Sequence, residues 1–82
     1  MKLKVLFFSV LRECTGCDDL FFDIDREGMT IDDVLQRLSA QFPKLKDWDK
    51  QVLLALDQAY VERSKPVSGG QELAIMPPVQ GG

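Results

Sequence analysis

The sequence predicts an α+β fold in which one main helix lies across one face of a small mixed sheet. Two observations support this prediction. Segments with the alternation that is typical of strands stand at both ends of the chain, and a single amphipathic helix pattern lies between them. A length of 82 residues also leaves room for only one hydrophobic core. We therefore expect residues 1–78 to form a single domain, followed by a flexible tail over residues 79–82.

Two strands and a short helical stretch are predicted at the start of the chain. Residues 2–8 alternate as a strand does. The side chains expected on its core face are those of Leu3, Val5 and Phe7. This alternation directs Leu6 and Phe8 to the opposite face of the sheet. One or two helical turns over residues 9–13 precede the second strand, over residues 18–24.

The main helix has the clearest boundaries. Thr30 is a residue type that favours the N-cap position, and Asp33, three residues later, comes close to completing a capping box. Apolar residues then recur at helical spacing, at Ile31, Val34, Leu35, Leu38 and Phe42. Pro43 ends the pattern because it disfavours helical geometry in the residue before it. The helix should therefore run over residues 30–42 and pack its apolar stripe on the sheet.

The last part of the chain contains three short strand patterns, over residues 52–56, 59–62 and 72–76. A charged connection precedes them, and we expect its Trp48 to anchor the connection against the core. The core positions of the last strand are Leu73 and Ile75. Alternation points Tyr60 and Met76 away from the core, as it does Phe8. Periodicity alone leaves open two interpretations of these three residues, incidental exposure and a protein interface.

Charge and composition exclude several classes of function. The net charge of −3 and the pI of about 4.7, with basic residues scattered among acids, do not give the positive patch that nucleic-acid binding needs. Anionic membranes are equally poor partners, and no segment is long and apolar enough for a membrane span. The chain has no histidine, which removes the commonest general base and metal ligand. Side-chain catalysis and a metal site are therefore not expected.

The motif Cys14-Thr15-Gly16-Cys17 has the spacing of a redox motif but not its context. A redox pair needs a strand before it and a helix N-terminus after it, whereas here a helical stretch precedes and a strand follows. A zinc or iron–sulfur site would need two further ligands, and the chain has no other cysteine. We expect free structural thiols in a reducing compartment. Because no cleavage site follows the first apolar run, we expect a cytoplasmic protein.

The segment after the last strand has a different character. Pro77 and Pro78 cannot donate a sheet hydrogen bond, so the sheet must end there and the chain must leave it as a stiff stem. The residues that follow are Val79, Gln80, Gly81 and Gly82. Fully extended, this segment would reach roughly 13–14 Å, enough to enter a buried site in a partner. We interpret the carboxylate of Gly82 as the working group, the alternative being a frayed end without a role.

The chain resembles the family of small, sulfur-carrying subunits of molybdopterin synthase almost from end to end. The segments that show it are Val5-Leu6-Phe7-Phe8 with Leu11-Arg12-Glu13 and Gly16, the helix of residues 30–42, and Ile75-Met76-Pro77-Pro78-Val79-Gln80-Gly81-Gly82. Pro-Pro-x-x-Gly-Gly is the most specific of these signatures, whereas Gly-Gly alone is shared by ubiquitin-like proteins in general. The resemblance implies a ubiquitin-like β-grasp fold.

The resemblance also implies a chemistry and a set of partners. An ATP-dependent adenylyltransferase similar to the ubiquitin-activating enzymes would convert Gly82 to an acyl-adenylate. A sulfur donor such as a cysteine desulfurase or a rhodanese-like protein would then give a thiocarboxylate. The large subunit of the synthase would receive the tail in a heterotetramer and supply the catalytic side chains. There the sulfur would attack cyclic pyranopterin monophosphate to form the molybdopterin dithiolene. The chain would not be an enzyme on its own and would bind no cofactor stably.

The same resemblance assigns a partner interface to Phe8, Tyr60 and Met76, which favours the interface interpretation of these residues. The chain departs from the family pattern at Gln71, in a turn, and at Gln80, in the tail, where it bears on partner specificity. Other functions stay open. They are a sulfur carrier for thiamin or tungsten-cofactor assembly, a ubiquitin-like protein modifier, and a docking module with a passive tail. The two prolines argue against the thiamin version.

Overall fold

Five strands, two α-helices and one 3₁₀ helix make up the part of the chain that this computed structural model describes, residues 1–78. In chain order they are β1 (Lys2–Phe7), α1 (Val10–Thr15), β2 (Asp19–Asp23), α2 (Ile31–Gln41), the 3₁₀ helix (Pro43–Asp47), β3 (Leu53–Leu56), β4 (Ala59–Tyr60) and β5 (Glu72–Met76). None of the helices formed by these described residues has the length and apolar character needed to cross a membrane.

The five strands form one mixed sheet in the order β2-β1-β5-β3-β4. β1 and β5 are parallel, with Phe7 opposite Ile75, and all other neighbours are antiparallel. The C-terminal ends of β1 and β5 therefore lie side by side. As a result, Phe8 and the residues after Met76 leave the sheet at the same end, which we call the tail end. The predicted α+β class, a mixed sheet with one main helix, is confirmed.

Local signals position α2 as the sequence predicts. The Thr30 hydroxyl accepts a hydrogen bond from the Asp33 N–H at 3.3 Å, and the Asp33 carboxylate accepts one from the Thr30 N–H at 3.0 Å. This reciprocal pair satisfies donors that the first helical turn leaves free. The helix ends where Phe42 leaves helical geometry ahead of Pro43, with φ of −123°. Both ends of α2 are therefore set by residues whose effect can be predicted from the sequence.

One hydrophobic core lies between α2 and one face of the sheet. The helix contributes Ile31, Val34, Leu35 and Leu38, and the strands contribute Leu3, Val5, Phe7, Leu54, Leu56, Leu73 and Ile75. The predicted core residues of β1 and β5 are at most 2% exposed. Burying each large aliphatic side chain stabilises the fold by about 1.5–3 kcal/mol. The opposite side of the sheet, which we call the open face, carries the exposed side chains of Phe21 and Tyr60.

The bounds of several predicted elements shift by one or two residues, and the helical stretch predicted over residues 9–13 runs from Val10 to Thr15. Two other differences have a structural explanation. The charged connection contains the 3₁₀ helix, which buries Leu45, while Trp48 packs half-buried against the core as predicted.

β4 ends at Tyr60, earlier than predicted, because the chain turns towards the start of α2. There the carbonyl of Arg63 accepts a hydrogen bond from the N–H of Asp32 at 2.9 Å. The N–H of Val61 still donates to the carbonyl of Leu54 in β3 at 3.1 Å, and from Arg63 onwards the first turn of α2 is the hydrogen-bonding partner instead of the sheet.

Candidate functional site

The chain leaves the sheet from its middle strand. β5 lies between β1 and β3, and Pro77 and Pro78 follow it directly, both half-buried. The sheet ends at this point, as the two prolines predict, because neither has an N–H to donate to a neighbouring strand. The other residues of the predicted tail site, Val79, Gln80, Gly81 and Gly82, lie outside the described residues.

A first row of apolar side chains crosses the open face beside this exit. The N–H of Phe8 donates to the carbonyl of Ile75 at 3.2 Å, which sets Phe8 level with Met76. Met76 in turn lies opposite Leu53 of β3. Because residues opposite one another on neighbouring strands point to the same face, Phe8, Met76 and Leu53 form one continuous row.

A second row lies two residues further from the exit. Leu6 of β1 is opposite Ala74 of β5, Ala74 is opposite Ala55 of β3, and Ala55 is opposite Tyr60 of β4. The two rows together form the tail-side patch, which consists of Leu6, Phe8, Leu53, Ala55, Tyr60, Ala74 and Met76. The patch spans four neighbouring strands at the end of the sheet from which the tail departs.

The tail-side patch includes all three residues that the resemblance assigns to an interface. Tyr60 is 77% exposed, Phe8 is 43% exposed and Met76 is half-buried. The prediction that they share the open face is confirmed, while their assignment to a partner interface stays a prediction. Alternation along β5 directs Ala74 away from the core, as alternation along β1 does Leu6, so the patch residues that sequence reasoning missed are Leu53 and Ala55. Only the strand register reveals them, and the sequence gives no direct signal of register.

Charged residues occupy the open face beyond the patch. Lys4 lies between Phe21 and Glu72, and Lys2 lies opposite Asp23 with 2.6 Å between Nζ and Oδ1. The hydrogen bond from Lys2, together with its charge, holds the pKa of Asp23 below the usual 3.8. On β1 and β5 the open face therefore changes from apolar to charged with distance from the tail exit, whereas β2 presents the exposed ring of Phe21 between Asp19 and Asp23.

The two cysteines lie at the same end of the sheet, around the turn between α1 and β2. Cys14 and Cys17 are free thiols, half-buried and packed against the core. Between them Gly16 has a left-handed backbone with φ of 76°, and the Thr15 hydroxyl lies 3.6 Å from the Cys17 sulfur. Within residues 1–78, no three metal-ligating side chains come together. Both thiols thus occupy positions where they contribute to packing.

Comparison with known families identifies the group to which this architecture belongs. A family model matches residues 5–82, and that model describes the ThiS family. The chain belongs to the ThiS family. The match to the ThiS family includes β5, the two prolines after it and the four residues beyond them. It therefore covers the described fold from residue 5 onwards and the predicted tail site.

Curated relatives of this ThiS family member are molybdopterin synthase sulfur carrier subunits. The one from Arabidopsis thaliana is 39% identical over 82 residues, which cover 100% of this chain and 84% of the relative. The one from Escherichia coli is 34% identical over 82 residues, covering 98% of this chain and 99% of the relative. Both relatives thus align along nearly the whole of the chain.

A solved structure supports the same fold. A chain from the protein–protein complex of subunits 1 and 2 of molybdopterin-converting factor from Helicobacter pylori has a TM-score of 0.70. It is 20% identical, with 100% of both chains covered. At this identity the likeness shows the fold alone. The structure of SAMP1 from Haloferax volcanii, which is 24% identical with 100% of both chains covered, has a TM-score of 0.83, and the two likenesses confirm the β-grasp fold that the resemblance implied.

Proposed function

We propose that this ThiS family member is the sulfur carrier subunit of a molybdopterin synthase and works through the carboxylate of Gly82. The observation that supports this most directly is the tail-side patch, which lies beside the point where the chain leaves β5. The names of the relatives support the choice of synthase. On this proposal the chain is not an enzyme on its own. It is the sulfur-donating subunit of a two-subunit sulfurtransferase.

The proposed chemistry begins with activation of Gly82. A carboxylate is a poor acylating agent because it has no good leaving group. In the activating enzyme, a carboxylate oxygen of Gly82 would attack the α-phosphorus of ATP, forming an acyl-adenylate and releasing pyrophosphate. A sulfur nucleophile, hydrosulfide in its simplest form, would then attack the acyl carbon, and AMP would leave with the electrons of the broken C–O bond. The product is a thiocarboxylate at Gly82.

The thiocarboxylate would then donate its sulfur in the large subunit. Sulfur is a softer and better nucleophile than the carboxylate oxygen it replaces, which suits attack on cyclic pyranopterin monophosphate. Each attack would leave a thioester between the Gly82 acyl carbon and the transferred sulfur, and water would hydrolyse it, which leaves the sulfur on the pterin and returns Gly82 to a carboxylate. Two such transfers would build the dithiolene. Pro77 and Pro78 would direct the tail away from the sheet, and Gly81 and Gly82 have no side chains to obstruct a narrow channel. The pterin pocket and the catalytic side chains would belong to the large subunit.

Docking of the tail-side patch would position the tail for this reaction. The Helicobacter pylori complex contains subunits 1 and 2 of a molybdopterin-converting factor together. By analogy, we infer that the large subunit covers Phe8, Tyr60 and Met76 while it receives residues 77–82. A heterotetramer of two small and two large subunits is the expected assembly. The activating adenylyltransferase and the sulfur donor would have to reach the same end of the sheet, because Gly82 is their substrate.

The proposal is tested by adding one glycine after Gly82. The extra residue displaces the reactive group by about 3.5 Å, so dithiolene formation with the purified large subunit should fall at least about 100-fold. The thermal unfolding temperature should stay unchanged because no core contact is altered. The matched control carries the same glycine ahead of Met1, which is 81% exposed, and should keep full activity.

The alternative functions predict different results in this experiment and in three further observations. Normal dithiolene formation by the extended chain, without removal of the added glycine, would contradict the proposal. Thiamin auxotrophy in a deletion strain, with molybdoenzymes intact, would favour a thiamin carrier. An isopeptide bond between Gly82 and a lysine of another protein would favour a modifier. An unchanged phenotype after deletion of Gly81 and Gly82 would favour a docking module.

A further inference from the structure

The outer edge of β2 offers hydrogen-bonding groups that the fold does not use. β2 stands at one end of the sheet, and no strand formed by residues 1–78 lies beyond it. The other edge strand, β4, has two residues, whereas β2 has five. An exposed edge of this length presents a row of free N–H and C=O groups to which another chain can pair.

The pairing of β1 with β2 identifies which residues present these groups. The N–H of Ile24 donates to the carbonyl of Met1, and the N–H of Phe7 donates to that of Asp18, both at 2.8 Å. Hydrogen-bonded pairs alternate with non-hydrogen-bonded pairs along an antiparallel ladder. The backbone groups of Leu20 and Phe22 therefore face β1, as those of Ile24 do. Those of Asp19, Phe21 and Asp23 face outwards, away from the sheet.

The bonding of β1 to β5 confirms this assignment. Phe21 lies opposite Lys4, and the Lys4 N–H donates to the carbonyl of Gln71, on the β5 side, at 3.0 Å. Likewise the Lys2 carbonyl, opposite Asp23, accepts from the Gly70 N–H at 2.9 Å. The β1 residues opposite Phe21 and Asp23 thus direct their backbone groups away from β2.

The same three residues also have their side chains on the open face. Phe21 is 66% exposed, with Asp19 and Asp23 two residues to either side. A strand that pairs with this edge would place its own side chains opposite an acid, an aromatic ring and a second acid. Opposite-charge and aromatic–aliphatic pairs stabilise such a pairing, and like charges oppose it. The edge therefore selects a segment in which basic residues flank an apolar one.

Charge argues against a second copy of this chain as the occupant. If two β2 edges paired antiparallel about Phe21, Asp19 of each copy would face Asp23 of the other. This arrangement sets two like-charge pairs in one short ladder, in a chain whose net charge is already −3. Asp19 takes part in none of the ion pairs among the described residues, whereas Asp23 already binds Lys2. Asp19 is therefore the more available of the two acids.

We propose that the β2 edge is a second docking site, which binds an extended segment of a partner protein with the alternating pattern basic-x-apolar-x-basic by strand addition. The site is independent of the proposed sulfur chemistry because it uses no residue of the tail. It lies two strands from β5, or about 10 Å across the sheet. A protein of the same pathway could thus hold this chain by β2 while the tail-side patch and the tail engage another protein.

The test uses the ¹⁵N-labelled full-length chain and a blocked peptide, Thr-Lys-Thr-Val-Thr-Lys-Thr, titrated up to about 10 mM. Hydrogen exchange is followed at each amide of β2 by NMR. Strand addition should slow exchange at Asp19, Phe21 and Asp23 and leave Leu20 and Phe22 unchanged, because only the first three amides face outwards. The protection should saturate with peptide and weaken as salt is added.

Two control peptides and a pair of protein variants complete the design. Replacing both lysines by glutamate, or the valine by proline, which cannot donate a ladder hydrogen bond, should abolish the protection. Asp19→Asn should weaken binding about threefold. The matched control Asp47→Asn removes an exposed acid of the 3₁₀ helix, outside the sheet, and should have no effect.

Three outcomes would overturn the proposal. They are unchanged exchange at Asp19, Phe21 and Asp23, equal binding of the glutamate peptide, and protection that rises with protein concentration alone, which would assign the edge to a second copy. Each of them leaves the proposed thiocarboxylate at Gly82 untouched, because the readout involves none of residues 77–82. Failure of the two proposals is therefore distinguishable.

Discussion

Among single residues, Asp33 links the start of α2 to the pH dependence of folding. Its carboxylate accepts hydrogen bonds from the Thr30 N–H at 3.0 Å and from the Thr30 hydroxyl at 3.1 Å. The bond from the Thr30 backbone, aided by the Thr30 side chain and by nearby arginines, holds the pKa of Asp33 below 3.8 although burial acts in the opposite direction. A folded pKa below the unfolded value means that the carboxylate stabilises the fold above pH 3.8. That contribution is lost as the pH falls through the folded pKa.

We therefore predict that Asp33→Asn makes the acid side of the stability profile less steep. The measurement is thermal unfolding of both proteins from about pH 2 to pH 7. The variant should have a lower unfolding temperature than the parent at neutral pH, and the difference between the two unfolding temperatures should shrink as the pH approaches about 2. Asp47→Asn, in an exposed position, is the control. An identical difference at every pH would contradict the role assigned to Asp33.

The sequence is enough to predict which side chains point outwards, but not which residues of other strands lie beside them on the open face. Alternation with a period of two directs Phe8, Tyr60 and Met76 to the open face whatever the strand order is. That Leu53 and Ala55 complete the same patch depends on which strands pair and in which register. These are properties of the assembled sheet, and a shift of one residue in one strand would remove them from the face.

At the scale of elements, Arg63 ties the chain after β4 to two other parts of the fold. Its guanidinium donates to the Asp32 carboxylate at 2.8 Å, to the Asp49 carbonyl at 2.6 Å and to the Asp49 carboxylate at 3.2 Å. Burial lowers the pKa of Arg63, but hydrogen bonds to Asp49 and then to Asp32 outweigh this effect and raise it. The planar donor group serves both partners at once.

We predict that Arg63→Ala lowers the free energy of unfolding by about 2 kcal/mol and that Arg63→Lys lowers it by about 1 kcal/mol. Lysine keeps the charge but cannot reproduce the forked geometry. Urea unfolding measures both values. Arg12→Ala is the control, because its only ion pair among the described residues is an exposed one, at 4.0 Å from Asp18. If Arg63→Lys has the same free energy of unfolding as the parent, the positive charge at residue 63 is sufficient for stability and the forked hydrogen bonds of arginine are not needed.

The tail-side patch is the element-scale feature most directly tied to function. We predict that Tyr60→Asp and Met76→Asp each weaken binding of the large subunit at least about tenfold, because each places a charge in an apolar contact. Calorimetric titration measures the affinity. Ala40→Asp, on the exposed side of α2, is the control and should bind normally. Affinities within about twofold of the parent for both patch variants would remove the patch from the interface.

Elements with local signals could be predicted from the sequence, and those set by distant contacts could not. α2 begins after its Thr30 cap and ends ahead of Pro43, and β5 has the predicted bounds, because capping, proline and alternation act within a few residues. β4 is shorter than predicted because the hydrogen bond from Asp32 to the Arg63 carbonyl joins residues far apart in the sequence. No nearby residue signals that contact.

At the scale of the whole molecule, the features that stabilise the fold are separate from those proposed to act in sulfur transfer. The core lies between α2 and one face of the sheet, while the tail-side patch lies on the other. The tail follows the middle strand, so its chemistry needs no core residue. Alternation and helix periodicity therefore predict the fold, whereas the proposed reaction comes from the resemblance, whose most specific signature is Pro-Pro-x-x-Gly-Gly over residues 77–82.

The most direct test of the central proposal is the intact mass of the untagged protein isolated from its own cells, with the C-terminal peptide localised. Cells that are actively making molybdoenzymes are used, and hydrolysis of thiocarboxylate is controlled with a synthetic standard. We predict that a fraction of the protein has a mass increase equal to the replacement of one oxygen by sulfur, located at Gly82. A wholly unmodified Gly82 under these conditions would contradict the sulfur-carrier account.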